Sequence, residues 1–262
     1  MSLEESLAWF TKMSEIDKTA LITGAAKRVG RSLALYLANQ GWHIAAHYNQ
    51  SRLEAKSLAD EIESLGKRCV ILEADLQNVA EVESLLPRAN AALGQVELLI
   101  NNAAVFEKDS IKTLCAESWQ RHQAINQLAP LLLTRSFAQQ LPVATSGNVV
   151  NLLDGVWGWS LSPDFLSYTA SKQGLHFLTE FLAKVLAPQI RINGIALGPI
   201  LPGQQDAEDT FARIADSAPL KRNSNLEDVY KALSYILSAP TLTGQIIAIA
   251  SGLHLRFPYN SI

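Results

Sequence analysis

The chain has 262 residues, the size of one α/β domain, and its 22 basic and 25 acidic residues give a net charge of −3. This near balance excludes a general electrostatic attraction to nucleic acid or to an anionic membrane, so any phosphate binding must be local. Two isolated cysteines, Cys69 and Cys115, argue against a disulfide framework or a zinc site. The same cysteine usage predicts a cytoplasmic protein without a metal site, and because no apolar run reaches about 18 residues we expect no membrane insertion.

Residues 1–17 form an N-terminal extension, in which Glu4 to Ile16 have the pattern of a short amphipathic helix. From residue 18 onward, short apolar runs alternate with longer helical periods, which is typical of βαβ units. Residues 18–262 therefore predict a single α/β domain with a doubly wound, seven-stranded parallel sheet and helices on both faces. The predicted strands are Thr19 to Thr23, His43 to His47, Cys69 to Glu73, Val96 to Ile100, Asn148 to Leu153, Ile190 to Ala196 and Gln245 to Ile249.

The predicted helices are Arg28 to Asn39, Leu53 to Leu65, Val79 to Leu93, Glu117 to Gln139, Phe165 to Leu186 and Leu226 to Leu237. The least regular segment is 198–219, which begins with Pro199, Pro202 and Gly203, continues as a short polar helix from Asp206 and ends at Pro219. Because ligands of this fold bind at the carboxyl ends of the strands, a long excursion there indicates a substrate lid. A plain surface insertion is the alternative.

A glycine turn joins the first strand to the first helix, where residues 23–30 read TGAAKRVG. Such a turn offers free backbone amides and the positive end of a helix dipole to a pyrophosphate. Gly24 makes the tight turn and Gly30 lets the helix approach the sheet, with Lys27, Arg28 and Val29 between them. The alternative is a turn without a ligand.

The end of the second strand favours NADP over NAD. Folds that bind NAD place an acidic residue there for the ribose 2′-hydroxyl, whereas residues 47–52 read HYNQSR and contain no acid. Lys27, Arg28 and Arg52 could bind a 2′-phosphate, with Ser51 as a further donor; solvated charges beside a turn are the alternative. Other residues expected along the cofactor are His47, Tyr48, Asn49, Asp75, Leu76, Asn102, Ala103 and Ala104.

Tyr168 and Lys172 are four residues apart on a predicted helix and so lie on one face. The lysine charge is expected to lower the pKa of the tyrosine, which would make it a proton donor near neutral pH. Two common residues at helical spacing are the plain alternative.

Together these segments resemble the short-chain dehydrogenase/reductase family from Thr19 to about Gly252. The resemblance implies a Rossmann sheet, a nicotinamide cofactor, Tyr168 as proton donor and Lys172 on the nicotinamide ribose. It also implies that Asn126 bends its helix and holds a water of the proton relay. At the end of the sixth strand it implies cofactor contacts from Gly198, Pro199 and Ile200.

Two departures from the usual family pattern are similar to the pteridine reductase subgroup. Arg28 stands where the middle glycine is usual, and Asp154 stands where the catalytic serine is usual. Phe106 has the spacing of the aromatic residue that stacks on a pterin in that subgroup. A helix or turn cap for Asp154 and a core position for Phe106 are the alternatives. The implied substrate residues are Arg28, Phe106, Asp154, Trp157 and Tyr168.

The sequence thus predicts an NADPH-dependent reductase of a dihydropterin or dihydrofolate, with Asp154, Tyr168, Lys172 and Asn126 as its catalytic residues. A reductase of 3-oxoacyl thioesters or other ketones is the first alternative, because Leu197 and Ala104 depart from the family or subgroup pattern. A non-catalytic NADP sensor is the second, although it would not need a proton donor. By resemblance, the protein is expected to form a homotetramer.

Overall fold

The computed structural model describes residues 18–155, 163–202 and 208–255. Seven parallel strands form one sheet in the order β3-β2-β1-β4-β5-β6-β7, which confirms the predicted fold class. The strand bounds are β1 Thr19–Ile22, β2 His43–Tyr48, β3 Cys69–Glu73, β4 Val96–Asn101, β5 Gly147–Asp154, β6 Ile190–Leu197 and β7 Ile246–Ile249.

The strand order reverses between β1 and β4, which are neighbours in space although two strands separate them in sequence. At such a switch point the connections leave in opposite directions and open a crevice at the carboxyl ends of the strands. The turn after β1 and the segment after β4 therefore lie side by side, which is where the sequence predicts a cofactor.

Eight α-helices and one π-helical turn are present among the described residues. Their bounds are α1 Arg28–Asn39, α2 Arg52–Ser64, α3 Val79–Leu93, α4 Ala116–Gln123, the π turn Ala124–Leu128, α5 Ala129–Gln140, α6 Leu166–Leu186, α7 Glu208–Ser217 and α8 Leu226–Ser238. None of these helices is long and apolar enough to cross a membrane.

Two apolar clusters cover the two faces of the sheet. Alternate residues of a strand point to opposite faces, so Leu21 of β1 packs in one cluster and Ile22 in the other. Helices α1, α2 and α8 cover the face of Ile22, and α3, α5 and α6 cover the face of Leu21. Burial on both faces explains why the strands read as continuous apolar runs rather than as alternating patterns.

Three sequence predictions need comment. The helix predicted over Glu117 to Gln139 is interrupted by the π turn, so it is three segments rather than one. The polar helix expected from Asp206 is present as α7. The expected helix at Glu4 to Ile16, Trp157, and residues 203–207 of the expected lid lie outside the described residues.

Candidate active site

Tyr168 and Asp154 meet at the carboxyl end of the sheet. Asp154 is the last residue of β5, and Tyr168 lies in the first turn of α6. The Tyr168 hydroxyl donates to Asp154 Oδ2 at 2.9 Å. A buried phenol and a carboxylate in direct contact form a path along which a proton can move. The two residues predicted to act together are therefore in contact.

The pKa of Tyr168 moves in the opposite direction from that expected from Lys172. Burial raises it well above its ordinary value, and the negative charge of Asp154 and the hydrogen bond to it raise it further. The expectation of a lowered value was wrong because it considered the neighbouring ammonium and not the carboxylate that the fold brings closer. In this arrangement Tyr168 is a neutral phenol with its proton directed at Asp154.

Lys172 is buried one helical turn beyond Tyr168. Its ammonium lies 6.0 Å from the centre of the Tyr168 ring and donates to the backbone oxygen of Leu152 at 2.8 Å. Burial lowers the pKa of Lys172 to about 8, although Asp154 acts to raise it. Lys172 is therefore mostly protonated at neutral pH and supplies a positive charge beneath the Tyr168 and Asp154 pair.

Asn126 is fully buried in the π turn and joins three segments. Its side-chain oxygen accepts from the backbone nitrogen of Val105 at 2.8 Å, and its amide donates to the Val105 oxygen at 2.9 Å. The same amide donates to Ser171 Oγ at 3.0 Å. A π turn places a side chain that regular helix geometry would direct elsewhere. Asn126 therefore holds the segment after β4 against the helix that carries Tyr168.

Phe106 belongs to an aromatic cluster beside the Tyr168 hydroxyl. Its ring stacks on Phe165 with centroids 4.5 Å apart and meets Tyr168 edge to face at 4.6 Å. Phe165 is buried, whereas Phe106 keeps an exposed fraction of 52%. Phe106 is therefore not a core residue; it is a supported aromatic ring whose surface is half open to a planar ligand.

The turn between β1 and α1 is built on a close approach of backbone atoms. Gly24 has a φ of +62°, which a glycine adopts without strain. A Cβ at Gly30 would lie 2.2 Å from the Gly24 oxygen, so only glycine fits there. Asn102, at the end of β4, donates to the Thr23 and Gly24 oxygens and fixes the turn to the centre of the sheet.

His47 supports this turn from below. Its Nδ1 accepts from the Gly24 backbone nitrogen at 3.0 Å, and its Nε2 bonds the Ala74 oxygen at 3.0 Å. Burial lowers the pKa of His47 to about 4, so the ring is neutral with its proton on Nε2. The sequence prediction placed His47 on the cofactor; both ring nitrogens are instead used inside the protein, and the ring holds the turn.

Arg28 connects the same turn to the segment after β6. It has a φ of +53°, in the left-handed region that the usual glycine would adopt. Its guanidinium donates to the Pro202 oxygen at 2.9 Å and to the Leu201 oxygen at 3.4 Å. The predicted cofactor and substrate residue thus lies where the turn and the base of the expected lid meet.

The space beside this turn is open and lies between two helix N-termini. A cavity of about 450 Å³ lies there, bounded by Gly24, Lys27, Tyr48, Asn49 and Ser51 among others. No side chain caps the first turn of α1 or of α2; α1 has no acidic residue in that turn, whereas α2 has Glu54, which pairs with Lys27. By contrast, α3 and α8 are capped by asparagine side chains. Two free helix N-termini beside one cavity suit the phosphates of a dinucleotide.

The other predicted cofactor residues fall along the same edge in different roles. Tyr48 is buried and donates to Glu73 Oε2 at 3.0 Å. Asp75 is partly exposed and accepts from the Gln77 nitrogen at 3.0 Å, next to the buried Leu76. Ala103 donates from its backbone nitrogen to Thr23, and Ala104 is exposed. Of the last three, Gly198, Pro199 and Ile200, only Ile200 is buried.

Sequence reasoning missed two residues that support the site. Phe165 was taken only as the start of a helix, although the stacking of its ring fixes Phe106. Ser171 lies between Tyr168 and Lys172, and the sequence predicted no role for it. Its hydroxyl oxygen accepts a hydrogen bond from the Asn126 side chain, a contact that the spacing of the motif does not predict. An aromatic residue three positions before the tyrosine was the only signal available for Phe165.

Comparison with known proteins agrees with this geometry. The profile described as short chain dehydrogenase matches residues 18–211. The crystal structure of FolM alternative dihydrofolate reductase 1 from Brucella canis, complexed with NADP, has 35% identity and a TM-score of 0.87, covering 94% of this chain and 97% of that one. The corresponding Brucella suis structure with NADP has 35% identity and a TM-score of 0.86, covering 94% and 98%.

A curated relative from Staphylococcus epidermidis, 3-oxoacyl-[acyl-carrier-protein] reductase FabG, is 28% identical over 245 residues, which is 92% of this chain and 100% of that protein. The FolM structures support the resemblance to pteridine reductases, while FabG is a reductase of a different substrate class. With the seven-stranded fold and the match over most of its length, the chain belongs to the short-chain dehydrogenase/reductase family of oxidoreductases.

Proposed function

We propose that this protein is a cytoplasmic NADPH-dependent reductase of a pteridine, of the dihydropterin or dihydrofolate type. The observation that carries the proposal is the 2.9 Å contact between the Tyr168 hydroxyl and Asp154, beside the half-exposed ring of Phe106. A carboxylate suits a heterocycle with several N–H donors, whereas a serine hydroxyl suits a ketone oxygen. The likeness to FolM structures at 35% identity supports the same reading, and the free thiols of Cys69 and Cys115 suit a reducing compartment.

NADPH is the cofactor that this proposal requires, and when bound it supplies the hydride. The free N-termini of α1 and α2 would hold its phosphates, and Lys27, Arg28 and Ser51 would supply charge and a donor for the ribose 2′-phosphate. Lys27 now pairs with Glu54 at 2.7 Å, an exposed contact of small energy that a phosphate dianion can replace. Among similar solved structures, the two FolM structures contain NADP, and a blue fluorescent protein from a metagenomic library, 25% identical, contains NADPH.

The residues of the site indicate where the proton for the reduction comes from. Reduction of a carbon–nitrogen double bond adds hydride to carbon and a proton to nitrogen, and the Tyr168 hydroxyl is the donor. Asp154 accepts N–H bonds from the pterin ring, which partly neutralises its charge and so removes one cause of the high pKa of Tyr168. The Lys172 ammonium stabilises the phenolate that remains, and Asn126 keeps Val105 and the Tyr168 helix in register.

The test is a substrate panel with purified protein. NADPH should be oxidised in the presence of dihydrobiopterin, dihydromonapterin or dihydrofolate, with the tetrahydro product identified by chromatography. Asp154→Ser should lower pterin turnover at least about tenfold, because it removes the acceptor of the ring N–H groups. Asp60→Ser, an exposed change on α2, is the matched control and should leave turnover unchanged.

A second candidate is a carbonyl reductase acting on 3-oxoacyl thioesters or other ketones, supported by the likeness to FabG. The same panel separates the two. Turnover of a 3-oxoacyl thioester but of no pterin, together with a gain from Asp154→Ser, would replace the pteridine assignment.

We also propose that the protein is a homotetramer, in which the outer face of α6 forms one of the contacts between copies. On α6, Phe177, Phe181 and Val185 recur every fourth residue on one face, and their exposed fractions are 60%, 51% and 57%. The opposite face of the same helix packs on the sheet. A helix that is apolar on two faces is expected to bury both, and a symmetric contact with a second copy would cover the outer one.

A further inference from the structure

The helix that carries Tyr168 begins without a cap of its own. Its N-cap residue is Phe165, whose side chain has no hydrogen-bond acceptor. The first amides of a helix need an acceptor from elsewhere. That acceptor is Asp109, 58 residues earlier in the chain, whose Oδ1 accepts from the Ser167 backbone nitrogen at 2.9 Å. The cap of α6 is therefore provided by the segment that follows β4.

Asp109 is itself held firmly. Its backbone nitrogen donates to the Asp164 oxygen at 3.1 Å, and its backbone oxygen accepts from the Leu166 nitrogen at 3.2 Å. Ser118, in the first turn of α4, donates to Oδ2 at 3.3 Å. Burial acts to raise the pKa of Asp109, but the hydrogen bonds from Ser167 and Ser118 outweigh it and lower the pKa below its usual value. The carboxylate is thus charged at neutral pH.

The location of these bonds connects them with the chemistry. Ser167 directly precedes Tyr168, and the same segment carries Phe106 three residues before Asp109. The buried carboxylate of Asp109 therefore joins the segment after β4, which carries Phe106, to the first turn of α6, which carries Tyr168. A negative charge at a helix N-terminus also interacts favourably with the helix dipole. Without this bond, the first turn of α6 would lose its acceptor and could fray.

We propose that Asp109 is a positioning residue, which holds the first turn of α6 so that the Tyr168 hydroxyl stays in contact with Asp154. This inference rests on the proposed function only in taking Tyr168 as the proton donor. Misplacement of a reacting group by about 1 Å can reduce turnover on the order of a hundredfold. The effect is therefore expected in kcat rather than in the binding of NADPH.

The kinetic test compares two variants of Asp109 with a matched helix-cap variant. Asp109→Ala should lower kcat about tenfold to a hundredfold and leave the Kd of NADPH within about twofold. Asp109→Asn keeps an oxygen for the Ser167 amide and should restore most of kcat. Asn225→Ala removes the side-chain cap of α8, away from Tyr168, and should leave kcat unchanged. If Asp109→Ala does not fold, Asp109→Glu carries the test, since it keeps the charge but moves the acceptor.

A second readout does not depend on turnover. In protein labelled with 13C at the tyrosine Cζ, the Tyr168 resonance is assigned by its loss in Tyr168→Phe. Asp109→Ala should shift or broaden it, and Asp109→Asn and Asn225→Ala should not. An unchanged resonance in Asp109→Ala, or a kcat equal to that of Asn225→Ala, would overturn the inference. A moved resonance in a protein that reduces no pterin would instead leave the inference standing and remove the proposed substrate.

Discussion

At the scale of single residues, the contact between Tyr168 and Asp154 decides how the site can work. A buried phenol next to a carboxylate holds its proton more tightly than a phenol next to an ammonium alone. We therefore expect the Tyr168 proton to be released only when a ligand changes the charge on Asp154. Such a site resists donating its proton in the absence of a substrate with N–H groups.

Tyr168→Phe tests the donor directly. Removal of the hydroxyl should lower kcat by about 10² to 10⁴-fold, the usual contribution of a positioned acid, and leave the Kd of NADPH nearly unchanged. Stopped-flow measurement of NADPH oxidation and a fluorescence titration give the two values. Tyr235→Phe, at an exposed position on α8, is the control. A Tyr168→Phe enzyme that works at nearly the full rate would rule out this mechanism.

Lys172 gives a prediction about pH. Its pKa is about 8 in the folded protein against an ordinary value of 10.5 in the unfolded chain, so between these values the unfolded chain binds more protons and stability rises with pH. Below pH 8 Lys172 is charged in the folded protein, and the full cost of burying that charge lowers the free energy of unfolding. Relative to Lys172→Met, the free energy of unfolding of the native protein should increase by about 2 kcal/mol from pH 7 to pH 9.5. Urea denaturation at the two pH values measures it, and an equal difference at both would contradict the assignment.

At the scale of elements, the helices and strands were predicted well because their signals are local. The bounds of α1 and α3 agree with the prediction, since a glycine turn and the Asn78 cap mark their beginnings. The bend at Asn126 was expected only through the family resemblance, because the apolar period from residue 117 to 139 is that of an ordinary helix. What places Asn126 is its pair of bonds to Val105, a contact between segments that no local pattern contains.

The residues of the site also fall into two groups, those that a sequence pattern reveals and those that only contacts between distant segments reveal. Tyr168 was found through its helical spacing from Lys172, and Asp154 and Phe106 through the resemblance to pteridine reductases; the structure brings the three together. His47 appeared to be a ligand of the cofactor because it ends a strand at the right place. Only the folded chain shows both of its nitrogens bonded within the protein. Hydrogen bonds between side chains and segments that are distant in sequence could not be predicted from the sequence.

The turn between β1 and α1 should set the choice of cofactor. Arg28→Ala removes a cation beside the expected 2′-phosphate and should weaken NADPH about tenfold or more while leaving NADH within about twofold. The two Kd values are measured by fluorescence titration. Arg135→Ala, which breaks an exposed pair with Glu83 away from the turn, is the control. An equal loss for both nucleotides would show that Arg28 supports the fold of the turn and does not recognise the phosphate.

At the scale of the whole molecule, the outer face of α6 predicts assembly. Phe181→Glu places a charge in the apolar row of Phe177, Phe181 and Val185 and should lower the mass seen by light scattering from that of a tetramer to a smaller species. Lys184→Glu, on the same helix, is the control for the added negative charge. A monomeric native protein, or a variant with unchanged mass, would exclude this face as the contact.

The position of β1 in the sheet has a consequence for how the chain folds during synthesis. Ile22 pairs with Ile100, and Thr19 with Val96, so the central seam joins segments far apart in sequence. Until β4 leaves the ribosome, β1 has one open edge although all four of its side chains belong to the final core. The first three strands can assemble early, but their seam stays open to wrong partners until about residue 101. We therefore expect the pairing of β4 with β1 to be the folding step most exposed to wrong strand pairing, and β4 is also the strand that completes the crevice at the switch point.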